Sequence, residues 1–253
     1  MFNSDSDRAW EKFGNNNPYF GVLSDEKFLE SNLTDENKEE FFNSGTVYID
    51  SVLKKIRRHI DPDYRIGKAL DFGCGVGRLV IPLAELAESV TGIDVSDSML
   101  NEARKNCDAR SINNVTLVKS DDNLSLLNDQ YDFIHSFIVF QHIPVKRGEC
   151  IFENLIAHLE DGGVGVLHFT YAKNLKFGKL VPFIKNYIPL AKNLINLGKG
   201  EHFFAPQMQM NMYDLNRLFF IMQQARVSEF HTEYTNHAGQ LGVVVYFRKP
   251  EKS

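Results

Sequence analysis

Residues Lys68 to Arg78 read KALDFGCGVGR, and this stretch decides the fold. Ala69 and Leu70 close an apolar strand that Asp71 ends. Gly73, Gly75 and Gly77 make a turn, and from Arg78 the sequence RLVIPLAELA has helical spacing. Glycine belongs where the backbone takes positive φ or lets a ligand approach closely. A helix opening just after such a turn presents free backbone N–H groups. Moving outward, Ser89 to Asp94 (SVTGID) reads as a second strand that also ends in an acid. An acid at the tip of a second strand can accept both hydroxyls of a ribose. Glycine turn first and acid second describe the nucleoside-binding half of a doubly wound α/β sheet.

The same alternation continues downstream. Helix-forming sequence follows Gly77 to about Glu88 and Ser96 to about Asp108, and VTLVK at 115–119 reads as a third strand. Strands at 131–137 and 164–170 flank a helix at about 146–159. Apolar strands separated by helices give a parallel sheet covered on both faces. A helix at 213–225 and strands at 227–235 and 241–249 close the chain, the strands as an antiparallel hairpin.

Two stretches lie outside this rhythm. Residues 1–67 form a helical, lid-like N-terminal segment ahead of a main domain at 68–253. Three helices are expected at 25–31, 34–44 and 46–60, with Gly45 as the break between the last two. The aromatic and turn-forming run from Trp10 to Leu23 is expected to be an ordered loop. Between about 172 and 211 lies an inserted cap, with Lys173, Lys176, Lys179, Lys185, Lys192 and Lys199 interleaved with apolar residues. A basic amphipathic segment suits a lipid-like substrate or peripheral membrane contact, or is simply a solvated helical cap.

Bulk properties narrow the class. The chain has 253 residues, 43% hydrophobic, with a formal net charge of −5. That charge gives no footprint for nucleic acid. Cys74, Cys107 and Cys150 form no CxxC pair, which argues against a disulfide framework and a zinc site. The first residues, MFNSDSDRAW, are polar and unlike a secretory signal, and no apolar run is long enough to span a bilayer. The expectation is a soluble protein of the cytoplasm without a metal.

Taken together, DFGCGVG, GIDVSDSML, KSDDN, YDFIHSFIVFQHIP and LEDGGVGVLHF, in that order, resemble the class I S-adenosylmethionine (SAM)-dependent methyltransferases of small-molecule type. The resemblance implies a Rossmann-like seven-stranded sheet, mostly parallel with an antiparallel last strand, plus N-terminal helices and a helical cap. It implies SAM as methyl donor, S-adenosylhomocysteine (SAH) as product, and direct SN2 transfer to a small-molecule or lipid-like acceptor. Asp71 then lies near the methionine amine, directly or through water, or else serves the turn. Phe72, Gly73, Cys74, Gly75 and Gly77 pass beneath the carboxypropyl arm and ribose. Asp94 takes the ribose hydroxyls or caps the next helix, and Val95 and Met99 flank the adenine. Asp121 or Asp122 serves the adenine amine, with Asp121 favoured, and Phe137 lies beside the transferred methyl. His142 is a candidate general base, or caps the following turn. Tyr19, Phe20, Met210, Tyr213 and His237 are substrate candidates, as are His202, Phe203, Phe204 and Met208 nearby. No NPPY-like motif stands at the end of the fourth strand, which counts against amino groups of DNA bases or protein glutamine.

Two other readings share some of these residues. An NAD-linked oxidoreductase also uses a glycine turn and a second-strand acid, but the spacing here is GxGxG rather than GxGxxG. A non-catalytic SAM-binding partner module would keep Asp71, the glycines and Asp94 without transferring a methyl group.

Overall fold

In a computed structural model, residues 5–174 and 209–251 are described. The chain begins with α1 (Asp5–Asn16) and α2 (Pro18–Val22), two 3-10 turns, and the long α3 (Asp35–His59). The core follows as β1 (Lys68–Phe72), α4 (Val80–Leu86), β2 (Ser89–Asp94), α5 (Asp97–Ala109), β3 (Val115–Lys119) and β4 (Tyr131–Ser136). After a 3-10 turn come α6 (Val145–His158), β5 (Leu159–Lys173), α7 (Leu215–Gln224), β6 (Phe230–His237) and β7 (Gln240–Arg248).

The seven strands form one sheet in the order β3-β2-β1-β4-β5-β7-β6. The pairs β1–β2, β2–β3, β1–β4 and β4–β5 are parallel. The pairs β5–β7 and β6–β7 are antiparallel. Alternation along each strand builds two apolar layers. Ala69, Val90, Phe133, Val166 and Tyr246 face α3, α4 and α5. Leu70, Ile93, Ile134, Leu167 and Val245 face α6 and α7. The strand order reverses between β1 and β4, where crossovers leave on opposite faces, so a crevice opens at the carboxyl ends of those strands.

The N-terminal segment departs from expectation three times. Residues 10–23 are helical rather than a loop, because Trp10 and Phe13 pack on the core one turn apart. Residues 35–59 form one helix, not two. Gly45 is no break: a Cβ there would lie 2.2 Å from the Arg78 carbonyl oxygen, so glycine lets α3 cross the turn after β1 closely. The stretch at 25–31 forms only 3-10 turns. Thr34 caps α3, its hydroxyl accepting from the Asn37 N–H at 3.1 Å.

Downstream, the shifts are small. β5 extends to Lys173, so Ala172 and Lys173 belong to the sheet rather than to a cap. β6 lies two to three residues later than expected, at Phe230–His237. The cap residues 175–208, with their lysines and with His202, Phe203, Phe204 and Met208, lie outside the described residues. No described helix is long and apolar enough to cross a membrane.

Candidate active site

At the carboxyl ends of β1, β2 and β4 lies a cavity of about 520 Å³. The turn after β1 forms its floor. Gly73, Gly75 and Gly77 have φ of 76°, 52° and 89°. Gly73 and Cys74 both donate N–H to the Ile93 carbonyl, at 2.8 and 3.0 Å, which ties the turn to β2. A Cβ on Gly73 would stand 2.4 Å from Val139, so this position has neither the conformation nor the room for a side chain.

Asp94 stands in the wall beside this turn. The Gly75 N–H donates to its Oδ2 at 2.9 Å and the Ser96 N–H to its Oδ1 at 2.9 Å. Each oxygen keeps a further lone pair, and Asp94 is on the cavity wall. Burial pushes its carboxyl up to about 6, against the pull of those two N–H groups. Ser96, rather than Asp94, caps α5: its hydroxyl accepts from the Met99 N–H at 3.1 Å.

The cavity also collects Phe72, Gly73, Gly75, Val95, Met99, Asp121, Asp122, Phe137, His142, Met210 and His237. A carboxylate that can hold a diol, a glycine floor and an apolar wall at the sheet's switch point suit a nucleoside, with room for a second molecule. Residues 69–163 match the family model of the methyltransferase domain. The chain has the class I methyltransferase fold. The ubiquinone biosynthesis O-methyltransferase of Hydrogenovibrio crunogenus is 33% identical over 135 residues, 53% of this chain and 52% of that protein. A 23S rRNA (uracil(1939)-C(5))-methyltransferase of Marinomonas posidonica is 40% identical over 52 residues, 21% of this chain and 12% of that protein. The chain spans between about a third and a half of several curated relatives it matches. The crystal structure of magnesium protoporphyrin IX methyltransferase from Synechocystis PCC 6803 with bound SAM superposes with a TM-score of 0.62 at 17% identity. That superposition covers 98% of this chain and 99% of the other, and establishes the fold.

On this methyltransferase fold, several sequence candidates stand away from the cavity wall. Asp71, Cys74, Gly77, Tyr19, Phe20 and Tyr213 do not line it. Asp71 is buried on the α3 face, where His135 Nδ1 donates to its Oδ1 at 2.8 Å. Tyr48 donates in turn to His135 Nε2 at 3.2 Å. Tyr19 is buried, with its hydroxyl 2.9 Å from Glu102 and 3.0 Å from Asn106 on α5. Tyr213 is buried too and donates to the Ile143 carbonyl at 3.0 Å. Cys74 is buried, and burial raises its thiol well above the ordinary range.

The two acids after β3 are both engaged. Asp121 accepts from the Ser125 hydroxyl at 2.5 Å and from the Ser125 N–H at 2.9 Å, which lowers its carboxyl. Asp122 pairs with Arg147.

His142 is buried, which drives its pKa down to about 4. Its Nδ1 donates to the Gln209 carbonyl at 2.8 Å, and its Nε2 accepts from the Gln141 amide at 3.1 Å. Thr170 donates to the Gln141 oxygen at 2.8 Å and so holds that amide's orientation. The ring is neutral, and its one lone pair is engaged by Gln141.

Other wall residues had no flag in the sequence. Trp10 stands edge-on to His142, with ring centroids 4.9 Å apart. Arg147 grips both oxygens of Asp7 at 2.9 and 3.1 Å, tying α1 across the mouth. Ile138 has φ of 61°, a strained conformation for a β-branched residue. It bends the chain so that Phe137 and Val139 on either side both reach the cavity. Trp10, as the single tryptophan, was the best available clue.

Proposed function

We propose that the chain transfers a methyl group from SAM to a small-molecule acceptor by direct SN2 displacement. The observation that carries this reading is Asp94. Its two oxygens are fixed from behind by Gly75 and Ser96 and turned toward the cavity, as a cis-diol requires. The residues fit the donor in other respects. Gly73 and Gly75 leave its arm room over the turn, and Val95 and Met99 offer an apolar slot for a flat base. Bound SAM would supply a methyl group already activated on a sulfonium. The chain's own task is then positioning and exclusion of water. Phe137 and Val139 shape the floor beside β4, while Trp10 on α1 covers it, held there through Arg147 and Asp7. The wall is mainly apolar, and the net charge of −5 offers little to neutralise a phosphate backbone. Both favour a small or lipid-like acceptor over nucleic acid.

In this role His142 is a positioning residue, since Gln141 engages its lone pair. The test is calorimetric titration with SAM, SAH and NAD in parallel. Micromolar binding of the first two without a NAD signal is the expected result. A folded protein that binds neither SAM nor SAH would overturn the proposal.

A further inference from the structure

The turn between β6 and β7 carries polar atoms that the reading above leaves unused. His237 and Gln240 are direct cross-strand partners at the end of this hairpin. They flank Ala238 and Gly239, whose φ values of 51° and 87° make the tight two-residue connection. Both residues line the same cavity as Phe137 and Met210. His237 Nε2 and Gln240 Oε1 are shut off from solvent and have no hydrogen-bond partner among the described residues. Folded proteins rarely leave such atoms unpaired, and at a cavity wall a ligand group or an ordered water can meet them.

The surroundings narrow what that group is. The His237 ring stands edge-on to Phe137 and to His168, with centroids 5.7 and 5.5 Å apart. His168 bonds through Nε2 to the Thr235 hydroxyl at 2.8 Å, while its Nδ1 is also buried without a partner among the described residues. Burial lowers the pKa of His237, so its imidazole is neutral near pH 7. Among the described residues the cation on the cavity wall is Arg147, and it is bound to Asp7 and Asp122. Gln240 Oε1 requires a donor. One oxygen can serve both atoms when the His237 proton sits on Nε2, which then requires an acceptor. A hydroxyl is both at once. An ether cannot donate, a carboxylate has no proton to give, and an ammonium cannot accept.

We propose that His237 and Gln240 form the subsite for a hydroxyl of the methyl acceptor, which is a neutral, largely apolar alcohol or phenol. This rests on the methyltransferase reading above. The test is calorimetric titration of 2-naphthol, 2-methoxynaphthalene and 2-naphthoate into protein saturated with SAH, for the wild type, Gln240→Leu and His237→Phe. Naphthol should bind at least tenfold tighter than the ether and the carboxylate. Each substitution should bring naphthol to within about twofold of the ether, with SAH affinity unchanged. Equal affinity of naphthol and its ether, tighter naphthoate, a preference that survives both substitutions, or no binding of any probe would overturn the proposal. Should a variant fail to fold, the wild-type comparison decides alone. Repeating the titrations without SAH separates the two readings. Failure of SAH to bind counts against methyl transfer, while the naphthol-to-ether ratio still judges the hairpin.

Discussion

At the residue scale the site turns on Asp94. Its carboxyl titrates near 6 before a ligand arrives, because burial opposes the charge. Ribose hydroxyls prefer the ionised form, so binding lowers that pKa and releases a proton. SAM affinity should therefore be full above about pH 6 and fall roughly tenfold per pH unit below it. Titrations at pH 7.5, 6 and 5 in buffers of different ionisation enthalpy measure both effects, and a pH-independent affinity would refute the assignment. Asp94→Asn should lose about 1.5–3 kcal/mol of binding, the range for hydrogen bonds to a charged group, and flatten that dependence. Asp94 and the glycine turn were legible because spacing alone places them at strand ends. Strand geometry also bears on Asp71. Side chains alternate along β1, so with Phe72 on the cavity wall its neighbour Asp71 points to the opposite face. The partners of His142 were not legible, since Gln209 is distant in sequence and joins it only in the fold.

At the scale of elements, Gly45 was read as a break and Gly14 as part of a loop, and both are close contacts instead. A Cβ on Gly14 would lie 2.6 Å from the Ser96 hydroxyl, so glycine seats α1 on the start of α5. Propensity alone favours alanine within a helix by up to about 1 kcal/mol. Gly45→Ala should nevertheless destabilise the protein by about 2 kcal/mol, because backbone atoms of Arg78 occupy the space. Urea denaturation checks the sign, and a stabilised variant would show that α3 does not press on the turn. The closure of α1 rests on Arg147. Arg147→Ala should speed hydrogen exchange in residues 5–16 and weaken SAM binding several-fold, with α6 exchange unchanged. Exchange in α1 as slow as in the wild type would mean that its apolar face and the bonds from Ser96 and Ser98 to Glu11 hold it without Arg147. The parallel core was readable because its period is regular. The N-terminal helices were not, since Trp10 and Phe13 take their order from α5 and the sheet rather than from local propensity.

At the scale of the whole molecule, buried histidines set the response to acid. Burial lowers His142 to about 4 and His168 to about 3. Between those values and 6.5 the unfolded chain binds protons that the folded chain refuses, so stability falls as pH drops through that window. Asp94 works the other way, since its folded carboxyl takes up a proton near 6. His237 is lowered by burial as well and Asp132 is raised like Asp94, and with the histidines in the majority stability rises from pH 5 toward neutrality. Denaturation midpoints at pH 5 and 7 measure it, and a flat profile would show that the two rings are hydrated. The arrangement of the sheet has a further consequence. β7 comes last among the strands in sequence yet lies inside the sheet, between β5 and β6. While the chain leaves the ribosome, the long apolar rim of β5 stays without its neighbour until residues 240–248 emerge. For that interval the nascent chain offers a sticky, hydrogen-bond-hungry margin to anything nearby. Synthesis thus contains a vulnerable stage that the finished molecule conceals, and holdase chaperones or slow translation of residues 240–248 would act on the yield of folded protein rather than on its final stability.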